Sequence, residues 1–108
     1  MERSVTWTES AAGEFDAAAT YRAQTSRVYA SAFAQEVRAA SQSLRTLAER
    51  GRVVPELGVP TIREIFVSNH RLIYQVAEER IWVLGFIGGP RDFSNAWRER
   101  SAPWCRRP

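Results

Sequence analysis

The chain has 108 residues, a net charge of +3 and a single cysteine, a length that supports one hydrophobic core and not two. Its 44% hydrophobic and 25% charged residues are those of a globular domain, with no apolar run near the roughly 18 residues of a membrane span and no signal-peptide core after Met1-Glu2-Arg3. Cys105 alone makes neither a disulfide framework nor a metal-ligand cluster, so the expectation is a cytoplasmic chain with no metal and no cofactor.

The first segment, Ser4-Val5-Thr6-Trp7-Thr8, alternates like a short strand and ends on a helix-start signal, with Thr8 as N-cap and Glu9 favourably placed in the first turn. An alanine-rich helix follows from Glu9 to about Ala23. Thr25-Ser26 interrupts it and can cap a second helix from Ser26 to Arg50, in which Tyr29, Phe33, Val37, Ala40, Leu44 and Leu47 form the core face. Gly51 fits a helix end that needs positive φ, and Pro55, Gly58 and Pro60 make an extended connection of the next ten residues. Thr61 to Asp92 then reads as a meander of three antiparallel strands, rich in β-branched and aromatic residues, with turns at Ser68-Asn69-His70 and Ala77 to Arg80. Period-two alternation sets Leu72, Tyr74 and Val76 against Arg71, Ile73 and Gln75, and sets Ile81, Val83 and Ile87 against Trp82, Leu84 and Phe86. Gly88-Gly89-Pro90 ends the last strand. A short helix over Ser94 to Arg100 and an irregular tail from about residue 101 complete a single domain over 1–108. The fold class is α+β in the order β-α-α-β-β-β.

No strand face is purely polar, so helices should cover one side of the sheet and the tail or a partner chain the other. Trp82, Leu84 and Phe86, or their opposite-face neighbours, are the expected apolar strip for that partner, and Phe33 of the second helix is a further candidate contact. His70 reads as an exposed turn residue, and no catalytic triad can be built around it. The basic residues are all Arg, a bias that a high-GC coding sequence also produces. Arg63 and Arg71 on neighbouring strands, Arg91 after the third strand and Trp97 six positions on form a candidate target-binding set, guanidinium groups for phosphates and an indole for a base. Ordinary surface pairing of Arg63 with Glu64 or Glu56 and of Arg91 with Asp92, with Trp97 packed on the sheet, explains the same residues.

In order and spacing, Trp7-Thr8, Tyr21, Phe33, Gly51-Arg52-Val53-Val54-Pro55-Glu56, Ile62-Arg63-Glu64, Arg71 to Val76 and Gly89-Pro90-Arg91-Asp92 resemble the RelE/ParE superfamily of type II toxin–antitoxin toxins. The resemblance implies the β-α-α-β-β-β fold, a cognate antitoxin that wraps the toxin, and one of two activities. ParE-like members poison DNA gyrase and RelE-like members cleave mRNA on the ribosome. The Gly-Arg-Val-Val-Pro-Glu segment and Arg63-Glu64 look ParE-like. Arg71, Arg91 and Trp97 fall near the positions at which RelE-like nucleases carry two phosphate-binding arginines and a catalytic tyrosine, with Arg63 assisting, although an indole cannot exchange a proton as a phenol does. The gyrase reading leads, mRNA endonuclease is the alternative, and a non-toxic binding module is the third. A homodimer and a toxin–antitoxin hetero-oligomer both remain open.

Overall fold

The computed structural model describes residues 2–88 and 93–98. The chain runs β1 (Ser4–Trp7), α1 (Glu9–Ala23), α2 (Arg27–Ser43), β2 (Arg52–Val53), β3 (Ile62–Val67), β4 (His70–Val76), β5 (Arg80–Gly88) and α3 (Phe93–Arg98). The five strands form one sheet in the order β1-β5-β4-β3-β2. β1 lies parallel to β5 and every other pairing is antiparallel. Both helix starts are capped as their sequence indicates: Thr8 Oγ1 accepts from the Ala11 N–H at 3.2 Å and Ser26 Oγ from the Tyr29 N–H at 3.1 Å. At the β3–β4 turn Ser68 and Asn69 both take positive φ, the geometry that matches the twist of a two-residue hairpin.

The α1–α2 hairpin covers one sheet face. Ala11, Phe33, Val37 and Leu44 pack there on Ile65, Val67, Leu72, Tyr74, Ile81, Val83 and Phe86. A second cluster, Val54, Ile62, Ile73, Leu84, Ile87, Phe93 and Ala96, fills the opposite face beneath α3. The chain's own third helix and the segment around Val54 therefore supply much of the cover expected on that side.

Four features depart from the sequence reading. α2 stops at Ser43 instead of Arg50: the Ser41 and Ser43 hydroxyls bond back to the Arg38 and Ala40 carbonyls, and the Leu44 and Arg45 amides close i→i−3 bonds that tighten and end the helix. Leu47, now beyond the helix, is exposed in consequence, 57%, and Tyr29, in the first turn of α2 at the hairpin tip, is 55% exposed and does not belong to the core face. Gly51 does not take positive φ, which among the described glycines belongs to Gly58. It is small because a Cβ there would lie 2.5 Å from the Glu64 carbonyl oxygen and 2.8 Å from the Tyr74 hydroxyl. Part of the extended connection pairs as β2 with β3.

Candidate functional site

Parity along the strands decides which arginines can act together. Arg63 pairs with Tyr74 and so shares the hairpin side of the sheet, whereas Glu64 pairs with Ile73 and Phe66 with Arg71 on the side of α3. Arg63 and Arg71 thus point to opposite faces and do not converge, which corrects the expected set. Arg63 Nη1 donates to the Gly51 carbonyl at 2.9 Å, bracing the β2 edge.

Arg71 is the hub of the α3 side. Its Nη1 and Nη2 donate to the two carboxylate oxygens of Glu56 at 3.0 and 2.7 Å, a fork-on-fork pair. Its Nε donates to Glu64 Oε1 at 2.8 Å, and Arg52 Nε donates to Glu64 Oε2 at 2.6 Å. The Glu64 side chain is fully buried and that of Arg71 is 12% exposed. Phe93 of α3 lies against the guanidinium, 4.5 Å from its centre. The hydrogen bonds from Arg71 hold the Glu56 carboxyl below the usual range, and those to Glu56 and then Glu64 raise the guanidinium further. Two arginines and two glutamates close a neutral, internally satisfied network. A phosphate would have to displace a carboxylate to reach Arg71.

Trp97 stacks on Phe93 at 5.4 Å and 16° and is partly buried against the α3-side cluster, so packing on the sheet describes it. Arg91, Asp92 and Cys105 lie outside the described residues. Sequence reasoning misses Glu56 and Glu64 as the partners of Arg71: it pairs Arg63 with Glu64 or Glu56, although alternation alone separates Arg63 from Glu64.

The expected apolar strip is also corrected. Phe33, Leu84 and Phe86 are buried; Phe33 and Phe86 lie under the hairpin and Leu84 under α3. Trp82 alone of the four reaches solvent, 37% exposed, with Arg80 5.2 Å from its ring centre and hydrogen-bonded to Thr6. Other exposed apolar side chains are Tyr21, Val28 and Tyr29 at the hairpin tip, Leu47 and Val59 in the α2–β3 connection, and Phe66 on β3.

Beside α1 an open groove of about 730 Å³ runs from Glu9, Ser10, Gly13 and Glu14 past Ala17 and Ala18 to Tyr21 and Arg22. His70 and Phe86 contribute to it from the sheet, and Gly88 and Ala96 also line it. His70 is not the exposed turn residue of the sequence reading. Its ring stacks on Phe86 at 4.4 Å and 7°, with Nδ1 3.0 Å from the Ser68 carbonyl. Glu14 Oε1 accepts from the Phe86 N–H at 2.8 Å, tying α1 to β5. Among the described residues no group of three or more His, Cys, Asp or Glu could hold a metal ion, and no helix is long and apolar enough to cross a membrane.

A family model described as the ParE toxin of type II toxin–antitoxin systems, parDE, matches residues 5–93. A solved structure of the chromosomal ParDE TA system from P. aeruginosa superposes with a TM-score of 0.67 at 21% identity, over 81% of this chain and 96% of that one. This likeness is one of fold. No curated protein matches the chain by sequence.

Proposed function

As the chain belongs to the ParE toxin family of type II toxin–antitoxin systems, we propose that it is a growth-inhibiting toxin neutralised by a cognate antitoxin, and that its target is DNA gyrase. One observation carries the choice of gyrase over mRNA. The Nε, Nη1 and Nη2 of Arg71 are already engaged by the carboxylates of Glu56 and Glu64, so the strand arginine that a nuclease would need on the scissile phosphate is occupied by anions of the chain itself. The packing of Trp97 on Phe93 agrees with this reading, since an indole so placed is a structural side chain and has no acid–base chemistry to offer.

The experiment is supercoiling by purified gyrase with the toxin added, alongside primer extension on mRNA from cells expressing it. Loss of supercoiling with cleaved DNA trapped and mRNA intact is expected, and addition of the antitoxin should restore supercoiling. Codon-phased mRNA cuts with gyrase unaffected would overturn the reading in favour of a ribosome-dependent endonuclease. Neither effect would leave a binding module without toxicity.

A further inference from the structure

We propose that a pocket between the two helices of the hairpin and β1 binds a small zwitterion with an apolar side chain, the chemistry of a free aromatic or aliphatic α-amino acid. The pocket has a volume of about 330 Å³ and takes its lining from β1, α1 and α2. That size is at the lower end of the roughly 300–1,000 Å³ of small-ligand sites. Helical spacing builds its walls: Ala12 and Asp16 stand four residues apart on α1, and Arg38 and Gln42 four apart on α2, so each pair shares one helix face. The apolar part of the lining is aromatic. Trp7 of β1 and Phe15 of α1, both half-buried, meet at 5.4 Å and 35° and each packs on Phe86 of the core.

Charge selects the ligand. Asp16 and Arg38 are the charged residues of the lining, one of each sign and one from each helix. Both are exposed, and neither side chain forms an ion pair or hydrogen bond with a described residue, so more than 4.0 Å separates their charged atoms. Arg45, which reaches the pocket wall by donating to Gln42 Oε1 at 3.2 Å, is neutralised by Glu2 at 2.8 Å. The Ser41 hydroxyl is committed to the Arg38 carbonyl at 3.0 Å. A simple anion would meet the repulsion of Asp16, a simple cation that of Arg38, and an uncharged apolar molecule would leave both charges unused. An α-amino acid answers all three parts of the lining: its ammonium pairs with Asp16, its carboxylate with the planar fork of Arg38, and its side chain with Trp7 and Phe15. The gap between the two charges is the room such a ligand needs.

The test is an NMR titration of the isotope-labelled, full-length chain with L-phenylalanine and with N-acetyl-L-phenylalanine amide, which keeps the ring and loses both charges. L-phenylalanine should saturate shifts of the Trp7 indole and of the Asp16 and Gln42 amides at millimolar concentration, and the blocked analogue should bind about tenfold more weakly or worse. Asp16→Asn and Arg38→Gln, at exposed positions where the fold tolerates change, should each weaken L-phenylalanine by about fivefold or more and leave the blocked analogue unaffected. Ala12→Leu, which fills the pocket, should abolish the shifts. An absence of saturable shifts, or shifts away from these residues, would overturn the proposal, as would unchanged affinity in both charge variants. Equal affinity for the blocked analogue would overturn it in favour of an apolar side chain inserted by a partner protein, which brings neither a free ammonium nor a free carboxylate. None of these readouts depends on the toxin's cellular target.

Discussion

Gly51 has no room for a side chain, because the Glu64 carbonyl and the Tyr74 hydroxyl crowd the place where a Cβ would be. Its N–H donates to Tyr74 Oη at 3.0 Å, and that hydroxyl donates to the Ala48 carbonyl at 2.8 Å, so the α2–β2 connection is fastened to the sheet through this one phenol. Gly51→Ala should therefore cost about 1–3 kcal/mol, since a backbone oxygen cannot swing aside as a flexible side chain can. Gly13→Ala should do the reverse. Gly13 lies in α1 with open space around it, and replacing a helical glycine gains about 0.5–1 kcal/mol. Urea midpoints for the two variants should move in opposite directions, and a Gly51→Ala midpoint at or above that of the natural chain would show that the approach is not tight.

Strand parity explains both what was legible in the sequence and what was not. The meander, the helical hairpin and both N-caps were readable because each rests on residues within a few positions of one another. β4 kept its expected alternation. In β5 it fails part-way: Tyr74 pairs with Val83 but Ile73 with Gly85, leaving Leu84 as an extra residue. That bulge turns Phe86 towards the hairpin and Ile87 towards α3, the reverse of the simple two-residue period. The one local sign of it is Gly85, since an isolated glycine inside a strand often marks a bulge; simple alternation does not register it, and the expected Trp82, Leu84 and Phe86 face does not exist. In β3 the period holds, and it sends Arg63 and Glu64 to opposite sides. Their energetic weights should differ accordingly. Arg71→Ala leaves the buried Glu64 carboxylate with Arg52 alone and should cost about 3–5 kcal/mol, as breaking a buried ion pair does. Combining it with Glu64→Gln should recover part of that loss. Arg63→Ala gives up one partly solvated hydrogen bond, about 1 kcal/mol. Denaturant unfolding measures all three, and hydrogen exchange over 93–98 should quicken in Arg71→Ala only, because Phe93 loses the guanidinium it packs against. Equal losses for Arg63→Ala and Arg71→Ala would remove the hub role.

Across the whole molecule, each sheet face is closed by a different kind of titrating group, and the two should fail at opposite ends of the pH scale. On the α3 side the Glu56 carboxyl is held below its usual range by the hydrogen bonds from Arg71. Its folded pKa is depressed, so its contribution is present above the unfolded value of about 4.3 and is lost as pH falls through the folded one. With the side chain 39% exposed, solvent screening keeps that contribution small. On the hairpin side burial pushes the Tyr74 hydroxyl up from its ordinary value, against smaller opposing effects of the Gly51 amide and nearby arginines. There the neutral form is the one favoured by folding, so stability is fully present below about pH 10 and declines as pH rises from there towards the folded pKa. An ionised Tyr74 could no longer donate to the Ala48 carbonyl, and the loop over β2 would come loose from the sheet. The chain is unusually suited to show this, because it contains no lysine whose titration would overlap that window, and its other two tyrosines, Tyr21 and Tyr29, are exposed. Tyr74→Phe should cost about 1 kcal/mol at neutral pH through the lost hydrogen bonds and should flatten the decline in unfolding free energy between about pH 10 and 12. If Tyr74→Phe keeps the alkaline slope of the natural chain, the phenol is not what holds the α2–β2 connection at high pH, and the crowding at Gly51 must fasten it without that hydrogen bond.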